Sequence, residues 1–155
     1  MSFSNGDIIS EAKSDSEWIN LAEKRVPAWC YYNNENSNSN NFGKLYNWYA
    51  FIDNRGLAPI GWRVPSLADW EGLSHELCQT SILDFYKLPG GKRCRNGHFQ
   101  DINEIGYWWA AESDYFQPCR LYKLLYKSQN ISRYSSSENY MRVDSEGLSV
   151  LCLRD

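Results

Sequence analysis

Very little in this sequence marks a membrane protein, a nucleic-acid binder or a metalloprotein. No run approaches the roughly 18 apolar residues of a membrane helix, so a helical span is excluded. Met1-Ser2-Phe3-Ser4-Asn5-Gly6-Asp7 lacks the charged and apolar regions of a secretory leader. Neither sign of charge dominates: 16 Lys and Arg against 19 Asp and Glu leave a formal charge of -3, too little basic character for nucleic acid to be the expected partner. Histidine is scarce. Neither His75 nor His98 has a Ser or Cys partner at the spacing of a nucleophile and its base. The five cysteines, Cys30, Cys78, Cys94, Cys119 and Cys152, form no Cys-x-x-Cys pair, which argues against structural zinc, and their odd number leaves the redox state open.

What the chain does have is aromatic mass: seven Trp, eleven Tyr and six Phe, spread over all 155 residues. With 43% hydrophobic residues, this length suits one domain, residues 1–155, able to bury roughly two thirds of its unfolded surface without a metal or disulfide. Ser14-x-x-Glu17 is a capping-box pattern, and Trp18, Leu21 and Ala22 follow at helical spacing, which predicts a helix within 13–25 ended by Pro27. Ala28 to Tyr32 reads as a strand and the Asn-rich stretch 33–41 as an exposed loop. Leu45, Trp48 and Ile52 predict a second helix over 44–52. Ser66 is the expected N-cap of a third, with Asp69 three residues on and Leu67, Trp70, Leu73 and Leu77 as its buried stripe. From Leu88 onward, short apolar runs at 105–111, 120–126, 131–134 and 148–154 read as strands. Helices first and strands after predict an α+β domain with a mostly antiparallel sheet.

Several segments then occur in a telling order: Trp29-Cys30-Tyr31-Tyr32-Asn33-Asn34, Tyr46-Asn47-Trp48-Tyr49-Ala50, Arg55-Gly56-Leu57-Ala58-Pro59-x-Gly61-Trp62-x-Val64-Pro65-Ser66, Leu88-Pro89-Gly90-Gly91, Gly106-Tyr107-Trp108-Trp109 and Gly147-Leu148-Ser149-Val150-x-Cys152-x-Arg154-Asp155. Together they resemble the Fibrobacter succinogenes major paralogous domain. The resemblance implies a C-type-lectin-like fold, loop-rich, with two main helices packed on a twisted, mostly antiparallel sheet. It also implies a secreted or surface-exposed bacterial protein, related in architecture to the formylglycine-generating sulfatase-modifying enzymes and to the variable proteins of diversity-generating retroelements. Against the family pattern the N-terminal strand is expected to be shortened or missing, leaving residues 147–153 as an open sheet edge that invites self-pairing and a homo-oligomer.

Three chemistries can be weighed on the residues. Catalysis has no support. The copper-holding cysteine pair of the formylglycine-generating relatives is absent, since Cys119 is followed by Leu124 where a second cysteine would stand, and Asp69, Glu71 and Glu76 suit capping and a solvated helix face. A calcium-dependent sugar site would need a carboxylate after Gln117-Pro118, where this chain has the thiol of Cys119; no metal or other cofactor is expected. The third chemistry is a metal-free binding face for a protein or glycan ligand. Residues 128–140 hold five Ser, two Asn and two Tyr, a paratope-like composition. Here Tyr134 and Tyr140 would pack on the ligand, Arg133 and Arg142 would supply fork-shaped donors, and Asn130 and Asn139 would hydrogen-bond; an ordinary solvated loop has the same composition. Of Trp108 and Trp109, adjacent on a strand, one is expected in the core and the other in the core or partly exposed. Cys30 and Cys152, both in strand-like motifs, are candidates for a disulfide.

Overall fold

Ser14 starts the first helix by its side chain, whose Oγ accepts the Glu17 N–H at 3.2 Å, while the Glu17 carboxylate accepts the Lys13 N–H at 2.7 Å. The computed structural model describes residues 1–66, 68–72, 89–110, 120–125, 130–134 and 143–155, with the backbone course alone for 120–125, 130–134 and 143. Helix α1 (Asp15–Glu23) lies between two short parallel strands, β1 (Ser10–Glu11) and β2 (Ala28–Cys30), and buries Trp18 and Ala22. The Asn-rich stretch is not a plain loop. It forms two single turns, Tyr32–Asn34 and Asn36–Asn38, and a four-residue helix α2 (Ser39–Phe42).

The helix expected over 44–52 is half strand. β3 (Leu45–Asn47) pairs antiparallel with β2, Trp29 opposite Tyr46 and Cys30 opposite Leu45, and only then does α3 (Trp48–Phe51) begin. Asn47 makes the junction. Buried at 1% exposure, its Oδ1 accepts the N–H of Ala28 and of Ala50, each at 2.9 Å, and its Nδ2 donates to the Val26 carbonyl at 2.8 Å. A buried amide must satisfy its donors and acceptor, and this one does so by ending a strand and capping a helix at once. The third cap was legible. Ser66 Oγ accepts the Asp69 N–H and the Asp69 carboxylate accepts the Ser66 N–H, opening helical residues 68–72 and burying Trp70.

After β4 (Trp62–Arg63) come the hairpin β5 (Gly90–Arg93) and β6 (Phe99–Ile102), then β7 (Ile105–Ala110), β8 (Arg120–Leu125), β9 (Asn130–Tyr134), β10 (Gly147–Leu148) and β11 (Leu153–Arg154). The large sheet is mixed, in the order β1-β2-β3-β10-β5-β7-β8-β9 with β6 alongside β5; β4 and β11 form a second, two-stranded sheet. Among the described residues six pairings of the large sheet are antiparallel, as is β4–β11; β1–β2 and β5–β7 are parallel. The protein is thus α+β, with few helices.

The C-terminal strand corrects the expectation of an open edge. Gly147 and Leu148 stand between β3 and β5, with Gly147 opposite both Asn47 and Arg93. Ser149 exchanges backbone hydrogen bonds with Tyr107 and Trp109, and Leu153 and Arg154 pair with β4. The run 148–154 therefore serves two sheets, its centre at 150–152 belonging to neither. Gly147 is required by close approach: a Cβ there would lie 2.8 Å from the Trp18 ring.

Strand alternation divides the core. Ala28, Cys30 and Leu45 pack with Trp18 on one face of the sheet, Trp29 and Tyr46 with Phe3 and Ile9 on the other. Trp109 and Trp108 are both buried, on different partners: Trp109 against Trp48 and Phe51 with its Nε1 donating to the Tyr46 carbonyl at 2.8 Å, Trp108 against Trp70. Fully burying a large apolar side chain contributes about 1.5–3 kcal/mol, so these indoles dominate the described core.

Candidate functional site

Three turns from distant parts of the chain meet beside α1 and enclose an open cleft of about 950 Å³. That is at the upper end of the roughly 300–1,000 Å³ of small-ligand sites.

One wall is the exit of α1. Its last turn closes with the Arg25 N–H on the Ala22 carbonyl and the Val26 N–H on the Leu21 carbonyl, and Arg25 takes the left-handed conformation at φ 55. Pro27 prevents the helix from continuing. Glu23 and Arg25 line the cleft from this wall, both exposed.

The opposite wall is the β5–β6 turn, which contributes Cys94, Arg95 and Asn96. It is closed by the Cys94 N–H on the His98 carbonyl at 2.7 Å and the Gly97 N–H on the Cys94 carbonyl at 2.9 Å. Arg93 fastens it from below. Fully buried, its Nε donates to the Gly97 carbonyl at 2.9 Å, Nη1 to Asn34 Oδ1 at 3.0 Å and to the Ala12 carbonyl at 3.4 Å, and Nη2 to Asp15 at 3.1 Å. Its guanidinium carbon lies 4.9 Å from the Trp18 ring and 4.6 Å from the Phe99 ring. Gly97, at φ 88, leaves no room for a side chain, since a Cβ would come within 2.5 Å of Asp15.

The third part is the turn Val143–Ser145 that leads into β10. The Tyr49 hydroxyl donates to the Asp144 carboxylate at 2.9 Å, and the Ser145 hydroxyl to its other oxygen at 3.3 Å. Trp18 Nε1 donates to the Ser145 carbonyl at 3.0 Å, and Glu146 is paired with Lys92 at 2.9 Å. Two carboxylates of the cleft are therefore occupied by hydroxyls or an ammonium. Arg25, Arg95 and Glu23 have no ion-pair partner among the described residues.

The thiols are quiet. Burial raises Cys94 above its ordinary value, Lys92 opposing and Glu146 and Asp101 adding to the rise. Burial pushes Cys30 up to about 11 against the pull of Arg93, and burial raises Cys152 as well. At neutral pH all three are protonated, and a protonated thiol is neither nucleophile nor metal ligand. Among the described residues no three His, Cys, Asp or Glu side chains gather where a metal could bind.

Of the residues singled out in the sequence, Asn130, Arg133 and Tyr134 lie on β9, opposite Leu125, Tyr122 and Leu121 of β8. Asn139, Tyr140 and Arg142 lie outside the described residues, as do His75, Cys78 and Cys119. His98 stands on the β5–β6 turn, its Nε2 4.0 Å from Asp15. Cys30 and Cys152, the candidates for a disulfide, are both free thiols in this structure. Cys30 sits on the Trp18 face of β2.

The cleft itself escaped the sequence. Arg25, Arg95 and Asp144 share no motif, and only the sheet order unites them. The one available signal was Asn96-Gly97, a hairpin dipeptide between Arg93 and Phe99, which marks a turn without saying what it faces.

No curated protein and no solved structure matches the chain. The Fibrobacter succinogenes major domain, by contrast, matches residues 1–87, which include α1, the Asn47 junction and the Ser66 cap. That span exceeds half of the 155 residues, and the chain belongs to the Fibrobacter succinogenes major domain family.

Proposed function

We propose that this chain is a recognition domain of C-type-lectin-like fold, exposed at a bacterial surface or secreted, that binds a protein or glycan ligand without calcium and without catalysis. The observation that carries the reading is the open cleft of about 950 Å³ walled by turns, where the Arg25 and Arg95 guanidinium groups, without ion-pair partners among the described residues, stand with the protonated Cys94 thiol and the occupied carboxylates of Asp144 and Glu146. Such a site offers hydrogen bonds and charge to a ligand and holds no activated nucleophile. The fold reading is supported by the mixed sheet with β10 inserted at its centre and by the many short connecting turns. Strand β9 and the residues after it, with Asn130, Arg133, Tyr134, Asn139, Tyr140 and Arg142, form a second candidate face for the same ligand class. Assembly through residues 147–149 is the weaker reading, because that strand has neighbours on both sides.

The test is a glycan array probed with the full chain in calcium and in EDTA, followed by the double variant Tyr134→Ala and Tyr140→Ala. Capture of one sugar class that survives EDTA is the expected result. Failure to capture any glycan, together with a mass that rises with concentration, would replace recognition by self-assembly.

A further inference from the structure

The cleft discriminates by charge. We infer that it takes an anionic saccharide, one carrying a uronate-type carboxylate, and that Arg25 and Arg95 grip that carboxylate from opposite walls. The inference rests on the recognition reading and specifies its substrate class.

The argument begins with which charges are spent. Asp144 is held by Tyr49 and Ser145, and Glu146 by Lys92. The arginines of the cleft have neither been buried nor paired: both are exposed and lack an ion-pair partner among the described residues. A guanidinium is always charged and presents a planar fork of donors that matches a carboxylate. The two forks are also carried on fixed backbone. Arg25 follows the closed last turn of α1, and Arg95 rides on a turn that Arg93 fastens from beneath. Side chains on rigid turns lose less freedom on binding than side chains on loose loops.

The hydrogen-bonding inventory favours a sugar over an acidic peptide. Asn96, Tyr49 and Ser145 line the same cleft and can meet hydroxyl groups, with the Tyr49 ring as an apolar surface. A peptide would gain most by adding a strand to a free sheet edge. The strands next to the cleft, β5 and β10, are interior to the sheet. Glu23 is the one carboxylate in the cleft held by neither a hydroxyl nor an ammonium among the described residues, and it limits how much negative charge the site accepts.

The experiment titrates the full chain with trigalacturonate, with a neutral trisaccharide of galactose, and with a short poly-glutamate, by calorimetry at low and at moderate salt. Trigalacturonate is expected to bind and to weaken with salt, and Arg25→Gln or Arg95→Gln each to reduce affinity about tenfold, a loss of one charge-assisted fork. Both positions are exposed, and unchanged circular dichroism confirms that the variants fold. Equal binding of the neutral trisaccharide, tighter binding of poly-glutamate, or affinity unmoved by both substitutions would overturn the inference. If a glycan binds but responds only to Tyr134→Ala, the recognition reading stands and the cleft is not its site. If no saccharide on the array or in the titration binds, the inference falls, and the recognition reading is left with a protein ligand.

Discussion

Arg93 and Arg95 stand two positions apart on one hairpin and have opposite fates. Arg93 is fully buried, donates to four groups and touches two aromatic rings. Arg95 is exposed at the lip of a cleft and is not ion-paired among the described residues. The difference lies in desolvation. A charge taken out of water costs several kcal/mol unless it is met by partners, so Arg93 is tolerable only because α1, the Asn34 turn and the Gly97 carbonyl converge on it. Arg95 keeps its water and so keeps its charge available. The first arginine builds the turn; the second uses it.

The largest test of this contrast is a pair of substitutions. Arg93→Met leaves Asp15, Asn34 and two carbonyls without their donor and should cost about 3 kcal/mol or more in urea unfolding. Arg95→Met should stay within about 0.5 kcal/mol. Similar losses would break the comparison. Next in size is Gly147→Ala, whose Cβ meets the Trp18 ring; overpacking of this kind costs about 1–3 kcal/mol. Because Trp18 stacks under Arg93 and also donates to Ser145, this variant should weaken the joint and loosen the cleft together, read as a lower unfolding midpoint and lower affinity for trigalacturonate.

A smaller effect is set by pH. Cys30 has its folded pKa raised from 9.0 to about 11, so above 9 the unfolded chain releases a proton that the folded chain retains. Stability is then full below 9 and falls as pH rises through about 11. Tyr46, Cys94 and Cys152, also raised by burial, act in the same sense, so Cys30→Ala should remove only part of the alkaline loss in a series of thermal melts. The smallest expected change is that of Glu23→Gln, which should leave stability within about 0.5 kcal/mol. It should also tighten trigalacturonate binding modestly, by removing a like charge at the cleft.

How far the sequence could be read follows from the range of the interactions involved. Ser14 and Ser66 act on residues three positions away, so both caps were legible, as were the aromatic strands at 28–30 and 105–110. Asn47 was not. Leu45, Trp48 and Ile52 around it are spaced as on a helix, and only the distant Ala28 N–H and Val26 carbonyl make Asn47 a strand terminus. Asn33 and Asn34, both at positive φ, form a turn whose amide serves buried Arg93, a role that polarity alone assigns to solvent. The strand expected over 148–154 breaks in two because one end answers to β3 and β5 and the other to β4. The cleft was the least legible, since its walls are joined by tertiary order alone.

The central position of β10 has a consequence for how the molecule comes into being. β3 and β5 are made long before residues 147–148, yet these residues are what stands between them. From the completion of β5 a growing chain therefore carries two half-sheets with facing unpaired edges, and closure waits for a segment that arrives late. Contacts of such long sequence separation fold slowly. The time between emergence of β5 and arrival of β10 is when this protein is most open to pairing with the wrong strand.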